Sequence, residues 1–285
     1  MNFTVAINGR ETYNSPISFA RRDMMLRFGM PTLIETDTIE ECAALCRELG
    51  LEFIEMNMNL PQYQVQTMDA ERLKKVAKEY GISYTIHLDE NMNVADFNPL
   101  VAGAYTRTVV DTIELAKKLE IPVLNMHFIY GVYFTLPHKK VFLFEQYRDE
   151  YMNNMCAFRD ACEKAIGDSG IRICIENWHG YEPWQIGVLD AMLESPAFGL
   201  TFDVGHNFCK KGMDEPVIMA RREKLFHMHL HDVKDGNKDH QALGTGDMDI
   251  HKYIALARDR DASVVVEAKT IEGLRRSAAW LAQNL

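Results

Sequence analysis

The chain has 285 residues, 47% of them hydrophobic, and a formal charge of −10 from 31 lysines and arginines against 41 aspartates and glutamates. That length suits one α/β barrel of about 250 residues as well as two small domains, and the apolar content is ample for a large core. The acidic balance repels phosphate backbones and disfavours nucleic acid as a partner, while no apolar stretch nears the roughly 18 residues that a membrane span needs.

The start, MNFTVAINGRETYNS, has no apolar signal core, so a cytoplasmic protein is expected. Residues 1–25 fall outside the repeat that follows and read as an N-terminal extension of a single domain, 1–285. A first strand is expected near 29–35, then a helix near 38–49 with Thr36, Asp37 or Thr38 as its cap and Glu40 and Glu41 at its positive end. Gly50 precedes a strand near 51–57, and a helix near 68–80 ends at Gly81, before a strand near 82–88 that carries His87. A helix near 99–119 stops at Glu120, Ile121 and Pro122, and the strand near 121–128 carries His127.

The segment 129–147, IYGVYFTLPHKKVFLFEQY, is longer and more aromatic than an ordinary connection. A lid or substrate wall is one reading, and a loop packed for stability or an oligomer contact is the other. Helical period resumes near 140–168, and strands are expected near 171–177, 198–204, 225–232 and 263–268. Helices near 184–194, 214–223, 249–259 and 270–284 follow them. Eight strand and helix units in alternation define the α/β class and predict a single (β/α)8 TIM barrel.

Four of the strand runs, IRICIEN, FGLTFDV, LFHMHLHD and SVVVEAK, hold Glu176, Asp203, His229 and Glu267 at or near their ends. Their separations of 27, 26 and 38 residues fit strand-to-strand steps with one helix between, so the four meet only through folding. Strand ends converge at one mouth of a barrel, and this set predicts a metal site there. Either glutamate alone would read as an ion-paired rim residue. His227, His229 and His231 alternate along one strand and share a face, with His227 expected in the core. His87, His127, His206 and His240 are candidates for further metal or substrate contacts. Imidazole with carboxylate favours manganese, cobalt or zinc over magnesium.

Other signals are weaker. Gly244, Thr245 and Gly246 read as a turn before a helix, and Lys210, Lys211, Lys234 and Lys238 are available to an anionic group. The six cysteines form no C-x-x-C pair and read as free thiols. Walker, Rossmann and G-x-S-x-G motifs are absent from the sequence.

Through IENWHG, FDVGHNF, HMHLHDVKD, HQALGTGDMDI and VVVEAK, the chain resembles the xylose isomerase-like barrels, which include sugar epimerases, inosose dehydratases and the endonuclease IV family. Resemblance to the ketose 3-epimerases implies that Glu176, Asp203, His229 and Glu267 hold one divalent ion. It also implies that Glu176 and Glu267 are the catalytic acid and base and that Glu182 and His206 contact substrate. Lys234 is a further substrate-binding candidate. The epimerases' arginine in the loop after the histidine strand has no counterpart between Arg222 and Arg258, so substrate recognition differs. His87, His127, His206 and His240 match positions that bind additional zinc in endonuclease IV enzymes. That family's Asp-x-His is Lys238, Asp239, His240 here, so one carboxylate is displaced.

The expected function is a metal-dependent sugar isomerase or epimerase that transfers a proton next to a carbonyl of a small polyhydroxylated substrate. Resemblance implies a homo-oligomer. An inosose dehydratase-like lyase, a zinc phosphodiesterase on abasic DNA and a non-catalytic sugar-binding barrel are the alternatives.

Overall fold

Eight parallel strands close on one another in the computed structural model, which describes residues 26–285. The expected extension at 1–25 lies outside the described residues. In chain order the barrel strands are β1 (Phe28–Pro31), β2 (Phe53–Asn57), β3 (Ser83–His87), β4 (Val123–His127), β7 (Arg172–Glu176), β8 (Phe198–Asp203), β9 (Leu225–Leu230) and β12 (Ser263–Val266). Two small hairpins account for β5 (Tyr133–Thr135) with β6 (Lys140–Phe142) and β10 (Asp232–Lys234) with β11 (Lys238–Gln241). The closed order β1-β12-β9-β8-β7-β4-β3-β2 is a TIM barrel, as the alternation predicted.

Local chemistry explains most element boundaries. Thr38 caps α1 (Ile39–Glu48), its hydroxyl accepting from the Glu41 amide. Asp69 caps α2 (Ala70–Tyr80) in the same way, and Gly81 ends that helix at φ 64, a left-handed conformation glycine adopts without a Cβ clash. Asn98 caps α3 (Pro99–Leu119), which ends at Glu120 with φ 56.

Two helices differ from expectation. The stretch 140–168 opens as β6, because Lys140–Phe142 pairs antiparallel with Tyr133–Thr135, and turns helical only at α4 (Leu143–Gln146) and α5 (Arg148–Ile166). The apolar run VFLF fits a strand end as well as a helix start, and only the partner strand decides it. After α6 (Ile186–Leu193) and a short α7 (Val204–Cys209), the expected helix 214–223 contracts to α8 (Glu215–Met219). There Arg221 turns back to bond the Val217 carbonyl and the Asp190 carboxylate. Helices α9 (Ile250–Arg260) and α10 (Ile271–Asn284) complete the ring. Among the described residues no helix is long and apolar enough to cross a membrane.

The core is continuous from Met30 to Leu281 and fills the space between strands and helices. The six cysteines are unpaired, and burial raises the thiols of Cys42, Cys46 and Cys174 to about 12. They are packing residues.

Candidate metal centre

Register places the functional side chains at one level. His127 of β4 lies beside Glu176 of β7, and Asp203 of β8 beside His229 of β9, which in turn faces Val265 of β12. Strands β4, β7, β8 and β9 therefore deliver His127, Glu176, Asp203 and His229 to the same carboxyl-end mouth, and Glu267 follows directly after β12.

His229 is the hub. Its Nδ1 lies 3.2 Å from Glu267 Oε2, 3.5 Å from Glu176 Oε1 and 3.9 Å from Asp203 Oδ2. All four residues are buried, and Nδ1 of His229 and Oε2 of Glu267 have no hydrogen-bond partner. Buried polar atoms without partners cost about 1–3 kcal/mol each, and three carboxylates converging on one imidazole nitrogen form an acceptor set that a cation satisfies. The donor set, one imidazole with carboxylates, therefore fits a divalent ion.

Electrostatics point the same way. Burial would raise the Glu176 and Glu267 carboxyls, yet His229 and His127 beside the first, and Lys269 and His229 beside the second, hold both well below the usual range. Burial presses on His206 too, and the Asp203 carboxylate nonetheless raises it to about 11. The buried carboxylates thus draw positive charge to the place a cation would take.

A residue that sequence reading missed sits beneath the hub. Glu55, in the middle of β2, accepts from Thr85 Oγ1 at 3.0 Å and bonds His227 Nε2 at 2.9 Å, while His229 Nε2 lies 2.8 Å from its other oxygen, with the ring N–H out of line for a full hydrogen bond. The carboxylates around Nδ1 favour a proton there while no ion is bound, and on the Glu55 side two acceptors cannot face each other at 2.8 Å, so Nε2 carries a hydrogen as well. This is the carboxylate–histidine support that metal ligands ordinarily have. His227, expected in the core, is there, with its Nδ1 2.7 Å from Ser263 Oγ. A charged residue inside the apolar run FIEMN was the available signal for Glu55.

His231 is a second supporting group. Its Nε2 faces Asp203 Oδ1 at 3.2 Å, and its Nδ1 accepts the backbone N–H of His240 at 2.8 Å. With both nitrogens engaged, it does not act as a third imidazole ligand beside His206 and His240, close though the three are. Gly205 leaves room for the ring, since a Cβ there would stand 2.0 Å from its Cε1. His231→Ala is expected to weaken binding of manganese about 10- to 100-fold, with His231→Gln restoring part of it. Equal affinity in all three proteins, read by calorimetry, would remove this role.

The other predicted residues divide. His87 and His127 both reach Glu176 Oε2, at 3.4 and 3.6 Å, and Asn125 donates to the same oxygen. His87 is raised to about 9, its burial outweighed by Glu176, whereas burial lowers His127 to about 3. His206 Nδ1 lies 3.0 Å from Asp203 Oδ2, and His240 Nε2 3.6 Å from Glu267 Oε1. Asp239 stands between these two, 3.1 Å from His240 and 4.0 Å from His206, while Lys238 turns away to Asp235. Glu182 caps the 3-10 turn Pro183–Gln185, and Lys234 is exposed on β10; among the described residues no hydrogen bond or ion pair joins either to the four central groups. Lys269, not foreseen, bonds Glu267 Oε1 at 2.6 Å.

A xylose isomerase-like TIM barrel family model matches residues 43–284. The chain belongs to this family. No curated protein sequence matches it significantly. Among solved structures, a D-tagatose 3-epimerase-like protein shares the fold at 20% identity and TM-score 0.74, over 90% of this chain and 96% of that one. A 3-keto-D-glucoside 4-epimerase from E. coli is 17% identical with TM-score 0.72, over 90% and 99%. A probable 3-DHS dehydratase from Bacillus anthracis is 14% identical with TM-score 0.69, over 91% and 100%. Xylose isomerase-like membership and these likenesses establish the barrel, and the chemistry has to come from the site.

Proposed function

We propose that this xylose isomerase-like chain is a divalent-metal-dependent sugar isomerase or epimerase, acting by proton transfer at a carbon beside the carbonyl of a small polyhydroxylated substrate. The observation that carries the proposal is the convergence of Glu176, Asp203 and Glu267 on the unpartnered His229 Nδ1. These four residues would hold the ion. When bound, it supplies positive charge next to substrate oxygens as the proton leaves the neighbouring carbon.

Glu55, Glu267 and Lys269 all line a cavity at the mouth; Glu55 is held by Thr85, His227 and His229, whereas Glu267 keeps Oε2 without a hydrogen-bond partner and is the carboxylate left for substrate. It takes or returns the proton, with Lys269 holding its Oε1. Glu176 is the second proton-handling group, its Oε2 oriented by Asn125. The similarity to epimerase structures supports this reading, and the dehydratase likeness marks loss of a hydroxyl beta to the carbonyl as the related outcome, which product mass distinguishes.

The test is metal content followed by deuterium exchange. Elemental analysis of protein purified without chelator is expected to find about one manganese, cobalt or zinc per chain, and ketoses in D2O should then gain deuterium at the carbon beside the carbonyl. Without the ion, neighbouring carboxylates raise His229 well above its ordinary value, so ligation releases its proton and affinity rises as pH increases from 6 to 8. Protein free of metal, with no affinity for manganese and no exchange, would overturn the proposal.

One observation favours a second reading. His87, His127 and Glu176 would hold a further cation if one bound, and would then supply the additional positive charge that a zinc phosphodiesterase on abasic DNA needs. Two or three zinc ions per chain together with cleavage of abasic DNA would favour it.

A further inference from the structure

Beside the ion site, the mouth holds two cavities rather than one. The inner cavity, about 180 Å3, is bounded by His87, Glu267 and Lys269, and the outer one, about 560 Å3, runs over the loops after β2 and β3. Thr32, Ile34 and Asn57 line both, so the two are continuous. Pockets for small molecules span about 300–1,000 Å3; the inner cavity alone falls below that range and the joined space lies within it.

The outer cavity has a defined chemistry. The Asn57 side-chain oxygen accepts from the Asn59 amide at 2.8 Å, and the Asn59 side-chain oxygen accepts from the Glu90 amide at 3.1 Å. Each asparagine thereby has its side-chain oxygen engaged, and neither NH2 donates to a partner among the described residues. Asp89 spends one carboxylate oxygen on the Asn91 amide. Its other oxygen and the Glu90 carboxylate add acceptors beside those donors. Ile34, 84% exposed, offers an apolar face at the junction. Amide donors alternating with carboxylate acceptors match adjacent hydroxyls, and no basic side chain lines this outer space to receive an anion.

We propose that the cleft formed by Thr32, Ile34, Asn57, Asn59, Asp89 and Glu90 binds a second, neutral glycosyl unit, so that the substrate is a glycosylated keto sugar rather than a free monosaccharide. This rests on the sugar reading above and extends it to substrate class.

The test compares D-fructose with turanose, maltulose, leucrose and palatinose, four glucosyl-fructoses of different linkage, on the metal-bearing protein by calorimetry, with deuterium exchange followed in the same samples. At least one disaccharide is expected to bind tenfold or more tighter than fructose. Asn59→Asp keeps the acceptor for the Glu90 amide but removes the donor, and Ile34→Ser alters an exposed position. Each is expected to reduce that ratio to below about threefold. Equal affinities for fructose and every disaccharide, or no binding of any of them, overturn the subsite. Exchange into fructose with equal affinities leaves the isomerase reading intact. A disaccharide preference without exchange keeps the subsite and removes that reading.

Discussion

Glu267→Gln is expected to lose deuterium exchange into substrate by a factor of about 10²–10⁴, the range contributed by a positioned acid or base. Glutamine has nearly the shape of glutamate and still offers an oxygen to Lys269, so packing around β12 should survive. What it lacks is the second charged oxygen, the one lying 3.2 Å from His229 Nδ1. Because that oxygen also faces the proposed ion, the assay must be run at saturating manganese, with bound metal measured in the same sample. Exchange that vanishes while the metal stays bound identifies proton handling; exchange that returns as metal is raised identifies a ligand alone. Glu176→Gln is expected to give a comparable loss. A Glu267→Gln protein that exchanges at the native rate with metal bound removes this residue from the chemistry. The pairing with Lys269 sets a further limit: burial lowers the lysine while Glu267 raises it, with a net upward shift, so it remains a cation beside the carboxylate throughout neutral pH.

Glu55→Ala should have the largest effect on stability. Glu55 is buried among His227, His229 and Thr85, and its removal leaves two imidazoles and a hydroxyl without their acceptor. Breaking a buried ionic pair by deleting one partner costs about 3–5 kcal/mol. Urea unfolding should register it, and manganese affinity should fall about 10- to 100-fold because His229 loses the contact that fixes its tautomer. Glu55→Gln separates the two effects, since it fills the same space without the charge: stability is expected to recover in larger part than affinity. The pH sign follows from the shift. Burial would raise Glu55, but His229 and His227 hold it below the ordinary carboxylate value, so its contribution is in place above that value and is lost as the pH falls through the lowered one. Native stability in Glu55→Ala would show that the buried histidines do not depend on it.

Much of this barrel was legible in one dimension. Strand after strand falls within a few residues of its expected place, because a parallel strand buried on both faces must be a short apolar run, and α1, α2 and α3 carry their stop and start residues in their own sequence. The four central residues were legible for a related reason: a charged or imidazole group ending such a run has to stand at the mouth. The beginning of the stretch at 140 was misread because its apolar residues serve a strand or a helix equally, and pairing with Tyr133–Thr135 decided the matter. The lid candidate 129–147 contains that hairpin, with Val132 and Phe134 exposed.

By itself, then, the sequence determined the alternation of strands and helices, the closing number of eight and which residues end the strands, since these depend on local period and on the cost of burying charge. The tertiary structure alone decided who faces whom. Glu55 and His227 are 172 residues apart and bond because closing the barrel brings β2 and β9, with only β1 and β12 between them around the ring, to line one interior. His231 spends both nitrogens on support, Lys269 turns to Glu267, and Lys238 turns away to Asp235, all through side-chain direction and distance. No local pattern encodes those distances, because each is the joint product of strand register, closure and packing across segments that are remote in the chain.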